Sequence, residues 1–248
     1  MTVPFIAVRN LLVTSGSRVL QRDLSFEAER GRMLAIVGEE GSGKRALLRT
    51  MMGVERPAEG DVFYDGEALW AAPEADRRKR MARFGSQLAG GAMLSTKTLL
   101  ENVSLPLEAH SHLSARDVRA VARLKLALVG LSGYEGHFPS EVDEQYRILS
   151  AIARATALDP DVLFCERPTA GLDLRGAVLV TDSILRARDH LGATVVVTTN
   201  DPRVVLAADE AIFLDVGSRT MKAKGRPSDL RDHADVPEVR AFLSGVRV

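Results

Sequence analysis

The sequence predicts an α/β fold in which apolar strands alternate with helices around a parallel sheet, interrupted by a helical insertion. Three observations carry this. Over Ala35–Leu48, AIVGEEGSGKRALL, an apolar run breaks into glycines and resumes with helical periodicity, which reads as strand, loop, helix. Strands return at Val162–Cys165 and Ala193–Thr199 with a helical stretch, Ala177–Asp189, between them. From Thr98 to Thr156 the pattern is helical, and this is the insertion.

The elements follow in order. Phe5–Val13 and Val19–Glu29 are rich in β-branched and apolar residues and flank Ser15-Gly16-Ser17, so they read as strand, turn, strand. Met33–Val37 is the strand that feeds the glycine loop, and Arg45–Met52 the helix behind it. Gly60–Phe63 is a further strand, closed by the turn signal Asp65-Gly66. Pro73–Met81 carries the basic run Arg77-Arg78-Lys79-Arg80, which reads as a solvated helix face. Phe84–Leu88 is a short strand leading into Gly90-Gly91. Ser114 is placed to N-cap the periodic stretch Val118–Val129. Beyond Pro227 the short-range pattern of Ser228–Val248 predicts one or two helices with little core of their own.

The 248 residues are 46% hydrophobic and 27% charged, enough to bury a core of one large or two small domains. Lys plus Arg and Asp plus Glu number 33 each, so no overall basic field argues for nucleic acid. No apolar run approaches the roughly 20 residues that span a bilayer, and Met1–Val13 lacks the signature of a secretory leader. The single cysteine, Cys165, allows no internal disulfide and suits a reducing compartment; placed mid-strand, it reads as a buried inert thiol. His110 and His112 read as an ordinary polar loop, and Met51 and Met52 as core filling.

Gly38, Glu39, Glu40, Gly41, Ser42, Gly43, Lys44 and Arg45 fall on the spacing of a Walker A loop. There glycines let backbone N–H groups curl around a phosphate while a lysine reaches its outer oxygens. The motif ends in Ser or Thr, whose hydroxyl coordinates Mg²⁺, and this chain has Arg45 at that place.

Further landmarks follow in a fixed order. Phe138-Pro139-Ser140-Glu141 precedes a helix ending Ala151-Ile152-Ala153-Arg154-Ala155; then come Leu158-Asp159-Pro160-Asp161, an apolar strand, and Pro168-Thr169-Ala170-Gly171-Leu172-Asp173. Together these resemble the nucleotide-binding subunits of ABC transporters over nearly the whole chain. Gly90-Gly91-Ala92-Met93-Leu94, Glu101-Asn102-Val103 with Pro106-Leu107, and the tail Val236–Gly245 are similar to the ATPases of Mla and Mce lipid transporters. The resemblance implies a P-loop NTPase (ABC ATPase) fold with a RecA-like core, an antiparallel β subdomain and a helical subdomain near residues 90–158. It places the nucleotide-binding domain at 1–226 and a C-terminal extension at 227–248.

The family pattern also marks what this chain lacks. The adenine-stacking aromatic falls on Ser15. The Q-loop glutamine falls on Ala89, with Gln87 two residues away on a strand as the other candidate. The signature Leu-Ser-Gly-Gly-Gln aligns with Val142-Asp143-Glu144-Gln145-Tyr146, so two carboxylates would face a triphosphate, although both suit the N-terminus of the following helix. The Walker B Asp-Glu pair falls on Glu166 and Arg167, and an arginine does not accept a proton near neutral pH. The switch histidine falls on Asn200. Ala89, Glu166, Arg167 and Asn200 are therefore degenerate catalytic positions.

The expectation is a pseudo-ATPase that binds ATP or ADP weakly and holds no Mg²⁺. Arg45 and Glu166 are expected to replace the metal by a buried ion pair, the alternative being that Arg45 turns to solvent or to a bound phosphate. By resemblance the partners are a transmembrane permease, a second ABC ATPase subunit in a homo- or heterodimer, and an Mce-type lipid-binding protein, with no nucleic acid. The place would be the cytoplasmic face of the inner membrane, peripheral via the permease. The rival expectation is a slow ATPase in which Glu166 acts as base after a one-residue bulge at Arg167 and Gln87 serves the Q-loop.

Overall fold

The structure is a computed structural model and describes residues 4–233 and 236–244. Its strands are β1 (Ile6–Ser15), β2 (Arg18–Ala28), β3 (Met33–Gly38), β4 (Glu59–Tyr64), β5 (Glu67–Ala68), β6 (Phe84–Gln87), β7 (Val162–Glu166), β8 (Thr194–Thr198), β9 (Glu210–Leu214) and β10 (Met221–Gly225). Its α-helices are α1 (Lys44–Met51), α2 (Glu74–Met81), α3 (Leu99–His110), α4 (Ala115–Leu128), α5 (Glu144–Ala155), α6 (Leu174–Leu191), α7 (Pro202–Leu206), α8 (Pro227–His233) and α9 (Pro237–Leu243). The chain divides into two compact units, Met1–Met81 with Val196–Val248, and Ala82–Val195.

In the first unit β1 and β2 form the expected hairpin, running from Ile6↔Ala28 to Ser15↔Arg18, and β4 lies antiparallel on the other side of β1. The sheet order is β2-β1-β4-β5. Every residue of β3 is buried, and β3 pairs in parallel with β9 from Leu34↔Glu210 to Gly38↔Leu214. A strand buried on both faces reads as a continuous apolar run, which is why MLAIV was legible. Strands β9 and β10 lie outside the sequence expectation. β10, MKAKG, alternates lysines with small or apolar residues and closes the sheet edge antiparallel to β9, where cations discourage further pairing.

Tyr64 shows how this unit is sealed. Its hydroxyl donates to the Met51 carbonyl at 2.6 Å, and burial pushes the phenol far above its ordinary range. Met51 is fully buried as expected, whereas Met52 is only half-buried. In α2 no residue is buried, in keeping with a solvated basic face, and its cations are engaged locally: Arg77 over Trp70, Arg78 with Glu74, Arg80 with Glu67.

The described tail follows the expected helical pattern. It forms two short helices, α8 and α9, but Leu230, Val239 and Leu243 are buried and Phe242 sits edge-on to Phe213 of β9, with ring centroids 5.4 Å apart. The tail therefore shares the core of its unit. Gly245, the last residue of the tail motif, and residues 1–3 of the N-terminal stretch lie outside the described residues.

In the second unit β6 and β7 pair in parallel, Phe84↔Val162 to Gln87↔Cys165, with Phe84 edge-on to Phe164. The helical insertion is α3, α4 and α5. A capping box of Thr98 and Glu101 starts α3, and Ser114 caps α4 as its sequence predicts. Asn102, fully buried, accepts from Leu94 N–H and donates to the carbonyls of Leu94, Lys97 and Thr98, pinning the loop before α3. This gives the Glu101-Asn102-Val103 string a structural job. Arg154 of α5 donates to the Gly91 and Ala92 carbonyls at 3.0 Å each, which fixes the glycine pair. His110 closes α3 rather than lying in a loop. Cys165 is buried, and that burial raises its thiol well above the usual range, as an inert core thiol requires. Among the described residues no helix is long and apolar enough to cross a membrane.

Candidate phosphate loop and catalytic positions

The phosphate loop is built by the end of β3 and the start of α1. Gly38 leaves β3 with φ 149°, and a Cβ there would lie 2.2 Å from the Leu214 carbonyl oxygen of β9. Gly43 is the N-cap of α1 at φ 85°, left-handed, where a Cβ would press on Leu20 at 2.9 Å. The sharp exit and the left-handed cap are what turn the loop's backbone back over the helix N-terminus. The positive end of α1 suits a phosphate oxygen.

Lys44, 7% exposed, lays its ammonium across the loop, donating to the Gly38 carbonyl at 2.5 Å and the Glu39 carbonyl at 2.7 Å. A phosphate at the loop would draw the ammonium from these carbonyls. The Ser42 side chain is buried, while Glu39, Glu40, Gly41 and Arg45 are exposed. Two carboxylates at the loop tip oppose an anion, with Lys44 and Arg45 as the compensating cations. The loop and helix geometry thus fits a phosphate group.

A magnesium ion is a different matter. Arg45 brings a guanidinium, which has no lone pair to give, to the position of a hydroxyl ligand. Among the described residues no group of three or more His, Cys, Asp or Glu side chains could hold a metal. Arg45 itself cannot ligate Mg²⁺.

Beneath the loop lies a residue the sequence did not single out. Gln21 of β2 is fully buried; its amide nitrogen donates to the Ser42 carbonyl and to the Asp215 carbonyl, both at 2.9 Å. A polar residue on an inward-facing strand position was the only available signal. Asn200 is exposed just after β8. Its neighbours are ordered locally: the Thr199 N–H donates to the Ile36 carbonyl, and Asp201 caps α7. Ser15, at the adenine-stacking position, is exposed at the end of β1.

The remaining positions belong to the second unit. Gln87 is fully buried, its amide nitrogen donating to the Leu88 carbonyl at 2.6 Å and its oxygen without a hydrogen-bond partner. Ala89 opens the 3₁₀ turn Ala89–Gly91. Asp143 occupies the N-cap of α5, but its side chain accepts no capping bond, contrary to the capping role the sequence suggests. Glu144 lies in the first turn with its carboxylate against Gly171. Tyr146 packs against Tyr134 with tilted rings and centroids 5.0 Å apart, and Tyr134 against His137 at 5.2 Å. The hydrogen bond and electrostatic interaction with Tyr146, then burial and the Asp143 charge, hold the Tyr134 phenol above its ordinary value. The N-terminus of α5 is thus acidic and aromatic.

Glu166 ends β7 at 3% exposure, and Arg167 follows with φ 46°, a left-handed conformation that a side chain seldom adopts. Arg45 is exposed in the first unit, and Glu166 is buried in the second. The two positions should then respond unequally. Glu166→Ala is expected to cost about 3 kcal/mol because partners of a buried charge are stranded, and Arg45→Ala about 1 kcal/mol or less. Urea unfolding of the two variants checks this; equal losses would refute the asymmetry.

Residues 21–170 match the ABC transporter family. The intermembrane phospholipid transport system ATP-binding protein MlaF of Haemophilus influenzae is 29% identical over 245 residues, covering 99% of this chain and 92% of that protein. MlaF of Escherichia coli K12 is 31% identical over 242 residues, covering 97% and 89%. A probable ribonucleotide transport ATP-binding protein, mkl, of Mycobacterium tuberculosis is 27% identical over 243 residues, covering 98% and 67%. Among solved structures, the dimeric ATP-binding cassette MJ0796 bound to ADP and Pi matches with TM-score 0.80 and 23% identity over 89% of this chain and 98% of that one. CbiO1 of Clostridium perfringens matches with TM-score 0.83 and 20% identity over 93% and 91%. With its phosphate loop, its paired parallel strands and its helical insertion in the family's order, the chain belongs to the ABC transporter family and resembles MlaF over nearly its full length.

Proposed function

We propose that the chain is the nucleotide-binding-domain subunit of an Mla/Mce-like ABC lipid transporter, docked on a permease as a scaffold or regulator, and that it does not hydrolyse ATP. The lipid assignment is supported by the two MlaF relatives, whose names describe phospholipid transport. A second ATPase subunit, the same chain or another, and an Mce-type lipid-binding protein complete the complex at the cytoplasmic face of the inner membrane. ATP or ADP binds weakly at Gly38–Arg45, without magnesium, and the degenerate positions are Ala89, Glu166, Arg167 and Asn200.

The observation that carries the reading is a pair of arginines, Arg45 and Arg167, at the places where the family needs a metal-binding hydroxyl and a general base. Neither can do that chemistry. One observation favours the rival, a slow ATPase with Glu166 as base. The left-handed Arg167 is a backbone irregularity at the place where that reading needs one. It also needs Gln87 in the Q-loop, and Gln87 is fully buried at the end of β6. Phosphate release from Mg²⁺ and ATP, by the full chain alone and with its permease, tests the proposal. No release supports it, and release lost in Glu166→Gln establishes the rival.

A further inference from the structure

Gln21 is fully buried, both its amide donors are spent on backbone carbonyls, and its amide oxygen has no hydrogen-bond partner. A buried acceptor left unpaired is costly, so the side chain is held in place by what its nitrogen does. That nitrogen bridges two carbonyls far apart in sequence, Ser42 in the phosphate loop and Asp215 just past β9, at 2.9 Å each. Turning the amide over would set its oxygen against both carbonyls, so the bridge fixes the orientation.

The end of β9 braces the loop a second time. Leu214 pairs with Gly38 in the parallel register, and its carbonyl closes on the place a Cβ of Gly38 would fill, at 2.2 Å. Asp215 is itself held: its carboxylate accepts from the Ser218 N–H and hydroxyl and pairs with Lys222, and despite burial these contacts keep it below the ordinary carboxylate value. The Asp215 N–H donates to the Thr220 carbonyl. The turn between β9 and β10 is thus rigidly tied, and Gln21 transmits that rigidity to the loop.

We propose that Gln21 is the positioning residue of the phosphate loop, setting the Ser42 peptide, and with it the neighbouring N–H groups, against the fixed end of β9 so that the loop is preformed for a phosphate group. This rests on the reading that the loop receives phosphate, and the test separates the two. The experiment measures backbone hydrogen exchange across residues 39–44 of the full chain, together with binding of ADP and of inorganic pyrophosphate. The proteins compared are wild type, Gln21→Met, which keeps the length and loses both donors, and Gln21→Glu, which keeps the shape.

Both variants should exchange about tenfold faster over residues 39–44, the loss of one to two net hydrogen bonds, with β1 and β4 unchanged. Where wild type binds either ligand, affinity should fall by a similar factor. Unchanged loop exchange in both variants overturns the proposal, as does acceleration spread evenly over the unit, which would mark Gln21 as ordinary core. Faster loop exchange in a chain that binds neither ligand supports the positioning role and refutes the phosphate reading alone. If Gln21→Met fails to fold, Gln21→Glu decides by the same criteria.

Discussion

Given ATP and Mg²⁺, the purified chain should release phosphate slower than about 10⁻² s⁻¹, against the roughly 1–10³ s⁻¹ of ordinary enzymes. Phosphoryl transfer is catalysed by positioning and by neutralising charge on the transferring group, and the parts that do this are the metal, the base and the cationic contacts. On the proposed reading the metal position carries Arg45, the base position Arg167, and the switch position Asn200. Loss of general-base catalysis alone is worth about 10²–10⁴-fold, and groups that act together do not lose rate additively, so further losses deepen the defect less than their product suggests. If Asp143 and Glu144 stand at the signature position, as proposed, they add repulsion of roughly 1 kcal/mol per charge pair at 4 Å in water and more in a drier interface. Glu166→Gln should therefore leave the residual rate where it is. A steady Mg²⁺-dependent turnover that this substitution abolishes would show that the chain is a working ATPase.

Gly38→Ala is expected to be the most damaging single methyl in the first unit, costing roughly 3 kcal/mol or more. Two effects add. A φ of 149° is a conformation that side chains seldom adopt, and the new Cβ would meet the Leu214 carbonyl oxygen at 2.2 Å and the Ser42 hydroxyl at 2.8 Å. The hydroxyl can rotate away; the carbonyl belongs to a strand paired with β3, so relief requires prising β3 from β9. Gly41→Ala is the control. Its φ of 85° is also left-handed, but nothing lies within 4 Å of its Cβ, so only strain of about 1 kcal/mol is expected. Denaturant unfolding of the two variants should separate them by about 2 kcal/mol or more. Comparable stabilities would mean that β9 yields readily at Leu214.

The sequence conveyed the elements whose pattern is local. MLAIV is apolar throughout because β3 is buried on both faces, and Gly38, Gly41 and Gly43 are legible because the loop needs conformations that other residues resist. Ser114 announced α4 because capping is chemistry between near neighbours. What stayed hidden depends on distant partners. Strand β10 alternates lysines as a solvated segment would, and only its pairing with β9 makes it a strand. Gln21 looks like one more polar residue in a hairpin until Asp215, 194 positions away, is seen beside it. Asp143 misled in the opposite direction: an acidic residue before a helix suggests a cap, yet its carboxylate accepts no bond from α5. The exposure of Arg45 and the burial of Glu166 could not be read from the chain, because both depend on what folds around them.

Phe242 of α9 rests edge-on against Phe213, the residue immediately before Leu214. A neighbouring molecule that grasped the last helix would thus have a lever on the strand end supporting Gly38 without touching the loop itself. Pulling that ring away would loosen the seat from behind, so traffic at the far end of the chain and occupancy at its front would be felt by one another.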